Sequence, residues 1–122
     1  MQERCYNFRV ANPIPLEVTP TEVKRRLESG EKLSLIDVRE PGEFATTKIA
    51  GAELIPMRDI PPALPSLESR ADDSSLVFFC HHGVRSLNVV SWLREQGIAR
   101  CQSMAGGIER WSLEVDPSVP RY

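Results

Sequence analysis

Two stretches of this chain, KLSLIDV at 32–38 and SLVFFC at 75–80, are apolar runs of strand length with almost no polar alternation. A strand with one face in water alternates apolar and polar residues, so a near-continuous run marks a strand buried on both faces. Helices on both sides of a parallel sheet supply that burial. The segments around the runs fit this demand, since helical patterns separate them. The expected class is therefore α/β, an open sheet. Ligands of such sheets bind beyond the carboxyl ends of the strands, and both Asp37 and Cys80 stand at such ends.

The helix at 17–30, EVTPTEVKRRLESG, carries complete start chemistry. Thr19 is the expected N-cap, Pro20 the first helical residue and Glu22 the partner of a capping box. Val18 and Val23 are placed to form a hydrophobic staple, and Gly30 to end the helix. A short helix is expected from Pro41 to about Thr46, and GAELIP at 51–56 reads as a strand. IPPALPSLESRADDSS is the most loop-like interior segment and reads as a helical segment broken by Pro61, Pro62 and Pro65. Residues 85–96 form a helix with Leu87, Val90 and Leu93 on one face, widened by Val89 and Trp92. A short strand at 99–103 and a helix, IERWSLE, complete the alternation. The organisation expected is an irregular extension at 1–15, one domain at 16–112 and an irregular tail at 113–122 with Pro117 and Pro120.

Composition excludes several classes of partner. With 41% hydrophobic and 26% charged residues and a net charge of −2, nothing points to nucleic acid or an anionic membrane. No apolar stretch nears the roughly 20 residues of a membrane span, and MQERCYNFRVANP lacks the apolar core of a signal peptide. The expected location is the reducing cytoplasm. Cys5, Cys80 and Cys101 are too few and too scattered for a disulfide framework.

The chemistry concentrates in CHHGVRS, residues 80–86, at the junction of a buried strand and a helix. Gly83 permits a tight turn with positive φ. A loop entering a helix N-terminus points unpaired N–H groups into one concavity, where the helix dipole adds positive potential. A nest of that kind binds anions and favours thiolate over thiol. Arg85 adds a bidentate cation, and His81 and His82 add donors. Three readings of Cys80 compete: an inert strand-end cysteine, a metal ligand and a nucleophile. Gly83, Arg85 and the helix start favour the nucleophile, whereas three successive residues aim poorly at one ion and no CxxC or HxxxH supports a metal.

LIDVREPGEF, IAGAELIP, FFCHHGVRS and MAGGIERW occur in this order and spacing, and through them the chain resembles the single-domain rhodaneses, the thiosulfate sulfurtransferase family, over about 16–112. The resemblance implies a five-stranded parallel sheet with helices on both faces. It implies that Cys80 takes a sulfane sulfur from thiosulfate or a persulfide donor, a protein persulfide included, holds it as a persulfide, and passes it to cyanide or a thiol. No cofactor or metal is called for. The amides of His81, His82, Gly83, Val84, Arg85 and Ser86 would form the cradle, with Arg85 engaging the donor anion. Asp37, Arg39 and Glu43 match the family's Asp-Val-Arg…Glu-Phe signature as supporting residues. Asp37 is expected to brace loops, and the four-residue spacing of Arg39 and Glu43 suits an ion pair. Gly106, Gly107 and Trp111 would shape the far wall.

The chain departs from the family at 47–49, where Thr-Lys-Ile replaces Gly-His-Ile; this bears on local packing more than on activity. Cys5 and Cys101 lack an anion-loop context and are expected to be inert. Two other classes stay open. Related phosphatases carry a loop one residue longer, with arginine six positions after cysteine rather than five. A non-catalytic interaction or sulfur-carrier module is the other alternative.

Overall fold

The two apolar runs become neighbouring central strands, β2 (Leu33–Asp37) and β4 (Ser75–Phe79), paired in parallel from Leu33↔Ser75 to Asp37↔Phe79. The computed structural model describes residues 14–122. Three shorter strands, β1 (Glu17–Val18), β3 (Glu53–Leu54) and β5 (Cys101–Met104), complete a fully parallel sheet in the order β1-β5-β4-β2-β3. The side chains of β2 and β4 point alternately to opposite faces, and both faces are apolar. Ile36, Leu76 and Phe78 enter one core; Leu35, Val77 and Phe79 enter the other. Parallel pairing keeps partners on one face, so Ile36 and Phe78 share a core, as do Leu35 and Val77.

Helices α3 (Leu64–Ala71) and α4 (Val84–Glu95) cover the first core through Leu67, Val89, Val90 and Leu93. Helices α1 (Pro20–Glu28) and α5 (Gly107–Glu114) cover the second through Val23, Ile108 and Trp111. No helix among the described residues is long and apolar enough to cross a membrane.

Local chemistry accounts for the element ends. Thr19 Oγ1 accepts the Glu22 amide at 3.1 Å, and Pro20 occupies the first turn of α1. Only half of the expected capping box forms, because the Glu22 carboxylate turns to Arg25 at 2.6 Å. Helix α2 (Pro41–Thr46) falls where expected, and the Glu43 carboxylate accepts the Glu40 amide at 3.0 Å.

Three expectations need correction. The Pro-broken helical segment forms a 3₁₀ turn at Met57–Asp59 and an unbroken helix, α3. Pro65 lies in the first turn of that helix, where no amide partner is lost. The buried stripe of α4 is Ser86, Val89, Val90 and Leu93, with Leu87 only half-buried. Strand β3 is also shorter than GAELIP allowed. Past α5 the chain folds back: Val119 joins the second core, and its carbonyl accepts the Ser112 hydroxyl at 2.6 Å. Cys5 and nearly all of the 1–15 extension lie outside the described residues.

Candidate active site

Strands β2 and β4 are adjacent at the point where the chain turns from building one side of the sheet to building the other. Such a switch opens a crevice at the carboxyl edge. Cys80 follows β4 directly, with 1% of its surface exposed. Gly83 takes φ +103°, which curls the chain back over the sulfur before α4 begins. The Gly83 amide then donates to Cys80 Sγ at 3.1 Å and the Ser86 amide at 3.4 Å. The Ser86 hydroxyl stands 3.6 Å from the same sulfur. Two amide dipoles aimed at one sulfur stabilise negative charge there.

The loop is fixed from behind. Ser86 Oγ lies 2.8 Å from Ser103 Oγ of β5, and both residues are fully buried. The first turn of α5 donates into the loop: the Ile108 amide to the Cys80 carbonyl at 2.9 Å, the Glu109 amide to that of His81 at 3.1 Å. Gly107 makes this approach possible. Its φ is +60°, and a Cβ there would overlap the Cys80 and His81 carbonyl oxygens. Gly106 and Gly107 thus form the wall at which the loop rests, while Trp111 packs in the second core. Val84 and His82 face solvent at the rim.

The signature residues are wired differently from their spacing. Arg39 and Glu43 form no side-chain ion pair. Arg39, wholly buried, binds the equally buried Asp37 through Nε at 2.9 Å and a terminal nitrogen at 2.7 Å. Arg39 precedes the N-cap Glu40, so it lies outside the helix in which a four-residue spacing would align it with Glu43. Arg39 also donates to the Thr47 carbonyl at 2.6 Å and to the Tyr122 hydroxyl at 3.0 Å.

Glu43 reaches across to the cysteine loop instead. Its two oxygens accept both terminal nitrogens of Arg85, at 2.8 and 3.0 Å, and the Tyr122 hydroxyl at 2.7 Å. With the Glu40 amide, four donors converge on one carboxylate. The Arg85 guanidinium foremost holds its pKa down at about 2, well below the ordinary carboxylate range. The Arg85 fork is therefore occupied by Glu43.

Tyr122 was missed by sequence reasoning. Its ring stacks on His81 at 3.9 Å and 8°, and His81 stacks in turn on His82 at 3.9 Å. Burial lowers the pKa of His81, with the neighbouring His82 adding to the effect. Ser103 was missed as well. No local pattern marks either residue, because each acts across a long stretch of sequence. At 47–49, where the chain departs from the family, Thr47 is buried and Lys48 lies outside over the Phe44 ring at 5.1 Å.

Among the described residues one group could offer metal donors, His81, His82 and Glu109, whose ligand atoms lie within 4.8 Å of one another. Arg121 already holds the Glu109 carboxylate at 2.6 Å.

This fold and this loop define a class. A family model described as a rhodanese-like domain matches residues 19–114, and the chain belongs to that family. The chain is 39% identical over 101 residues to the putative sulfurtransferase YtwF of Bacillus subtilis, covering 83% of this chain and 94% of that protein. The human single-domain sulfurtransferase TSTD1 superposes with a TM-score of 0.70 at 29% identity, covering 82% and 97% of the two chains. Similarity also extends to the rhodanese-like/PpiC domain-containing protein 12 of Arabidopsis thaliana, 37% identical over 93 residues and 75% of this chain. The chain spans 31% of the length of that protein, and about a quarter of several other relatives.

Proposed function

We propose that this domain is a sulfurtransferase in which Cys80 carries the sulfur. The observation that supports this most strongly is the pair of amides, from Gly83 and Ser86, directed at the Cys80 sulfur. In the first half-reaction the Cys80 thiolate attacks the sulfane sulfur of a donor. With thiosulfate, the sulfur–sulfur bond breaks and sulfite leaves with the electron pair, so that Cys80–S⁻ becomes Cys80–S–S⁻. In the second, a thiophile such as cyanide attacks the outer sulfur, takes it as thiocyanate and returns Cys80 to the thiolate. Charge is conserved in both steps. The two amides hold negative charge at the sulfur in each.

The rigid backing by Gly107 and Ser103 favours covalent chemistry over a passive binding role, because a preset pair of amides serves a reaction at a fixed atom. Thiocyanate formation from thiosulfate and cyanide tests the proposal. The native chain is expected to turn over, and Cys80→Ser to fall by at least about a thousandfold, since the nucleophile itself is lost. Turnover retained in Cys80→Ser would refute the assignment.

A further inference from the structure

The carboxyl edge of the sheet carries many arginines, yet none is free. Topology places Arg39 after β2, Arg58 in the 3₁₀ turn after β3, Arg85 in the first turn of α4, Arg110 in the first turn of α5, and Arg121 on the returning tail. Each is paired with a carboxylate: Asp37, Glu40, Glu43, Glu114 and Glu109 respectively. Among the described residues this edge therefore offers an incoming anion no uncompensated arginine. Arg85 belongs to the cysteine loop itself, and both of its terminal nitrogens are bound to Glu43. Glu43 stays ionised throughout the neutral range, with its pKa near 2. Its second oxygen is held in place by the Tyr122 hydroxyl, which Arg39 positions in turn.

A dianion approaching Cys80 meets a compensated ion pair, Arg85 with Glu43, rather than a free guanidinium. To bind Arg85 it must displace a two-point ion pair. A donor whose sulfane sulfur sits on a thiol, R–S–SH, needs no such displacement and brings less charge. Resting on the sulfurtransferase reading, we propose that Glu43 is a specificity-determining residue: by clamping Arg85 it turns the site away from the thiosulfate dianion and toward thiol persulfides. The step is then Cys80–S⁻ plus R–S–SH giving Cys80–S–SH plus R–S⁻. The bond between the two donor sulfurs breaks, and the thiolate leaves with the electron pair.

The test compares the rates at which thiosulfate and cysteine persulfide load the full chain, read by quenched intact-mass measurement, in the native protein and in Glu43→Gln. Glutamine keeps one acceptor oxygen, enough for the Glu40 amide and one Arg85 nitrogen, and removes the charge. The expected result is a thiosulfate rate raised about five- to tenfold, as for release of a partly buried ion pair, and a cysteine persulfide rate within about twofold. An unchanged ratio of the two rates overturns the role of Glu43. The native protein supplies a second reading that needs no variant. Its thiosulfate loading should be flat with ionic strength, because the guanidinium is compensated; a steep fall with salt would reveal a free cation and contradict the clamp. Loading by both donors with an unchanged ratio sinks only the role of Glu43. If neither donor loads Cys80 in either protein, the sulfurtransferase reading falls and this inference with it.

Discussion

Arg39 is the largest fully buried side chain among the described residues, and its charge is matched by Asp37 at the same depth. Burying two ions is costly, and the pair is tolerable only because nearly every donor and acceptor is used. Breaking it from one side leaves an uncompensated charge. Arg39→Ala is therefore expected to destabilise the domain by about 3–5 kcal/mol, measured as a shift in the denaturant midpoint. Replacing Asp37 and Arg39 together by leucine and methionine should recover part of that loss; a double variant worse than the single would contradict the electrostatic account. The sequence made the importance of Asp37, Arg39 and Glu43 legible but not their partners. A spacing of four implies contact only inside one helix, and the N-cap at Glu40 separates Arg39 from Glu43. The true partners of Glu43, Arg85 and Tyr122, lie 42 and 79 residues away. No local rule reaches that far.

The elements around the site were readable in proportion to how local their causes are. The cap of α1, the start of α2 and the turn at Gly83 each follow from a few adjacent residues. Helix α3 is more regular than its three neighbouring prolines suggest, because Pro65 in a first turn breaks nothing. The stripe of α4 was displaced because Ser86, a polar residue, is buried there by its bonds to the cysteine loop and Ser103. The returning tail was the least legible element: its two prolines mark irregular backbone, yet Val119 packs beside Trp111 in the second core. Deleting residues 119–122 should cost about 2 kcal/mol from the lost valine burial, with further loss from Tyr122. Chemical denaturation followed by tryptophan fluorescence checks this. An unchanged midpoint would mean that the tail contributes nothing to the fold.

On the scale of the whole molecule, the two apolar runs already implied a sheet covered on both faces, and the structure divides them between two cores. The five-strand count could not be read from periodicity, since β1 and β3 are two residues each. Charge at the carboxyl edge links fold stability to acid. The pKa of Glu43 falls from an ordinary 4.5 to about 2 in the folded state, chiefly through Arg85. A depressed carboxyl stabilises the fold fully above its unfolded value and loses that contribution as pH drops through the folded one. The window is thus pH 4.5 down to about 2. After screening at the half-exposed Arg85, the contribution is about 1–2 kcal/mol. Thermal unfolding across that window should show a shallower acid loss in Glu43→Gln than in the native chain; parallel profiles would place the acid sensitivity elsewhere.

In the proposed reaction one sulfur, that of Cys80, becomes the carrier because the loop holds two amides against it. The most direct measurement is the mass of the intact chain after exposure to a sulfane donor, followed by fragmentation to locate the added atom. A gain of about 32 Da, one sulfur, is expected on Cys80, reversed by dithiothreitol and absent from Cys80→Ser. Cys101 should stay unmodified, as it is buried in the first core and its thiol pKa is pushed up by that burial. A sulfur found on Cys101 or Cys5, or persisting in Cys80→Ser, would contradict it.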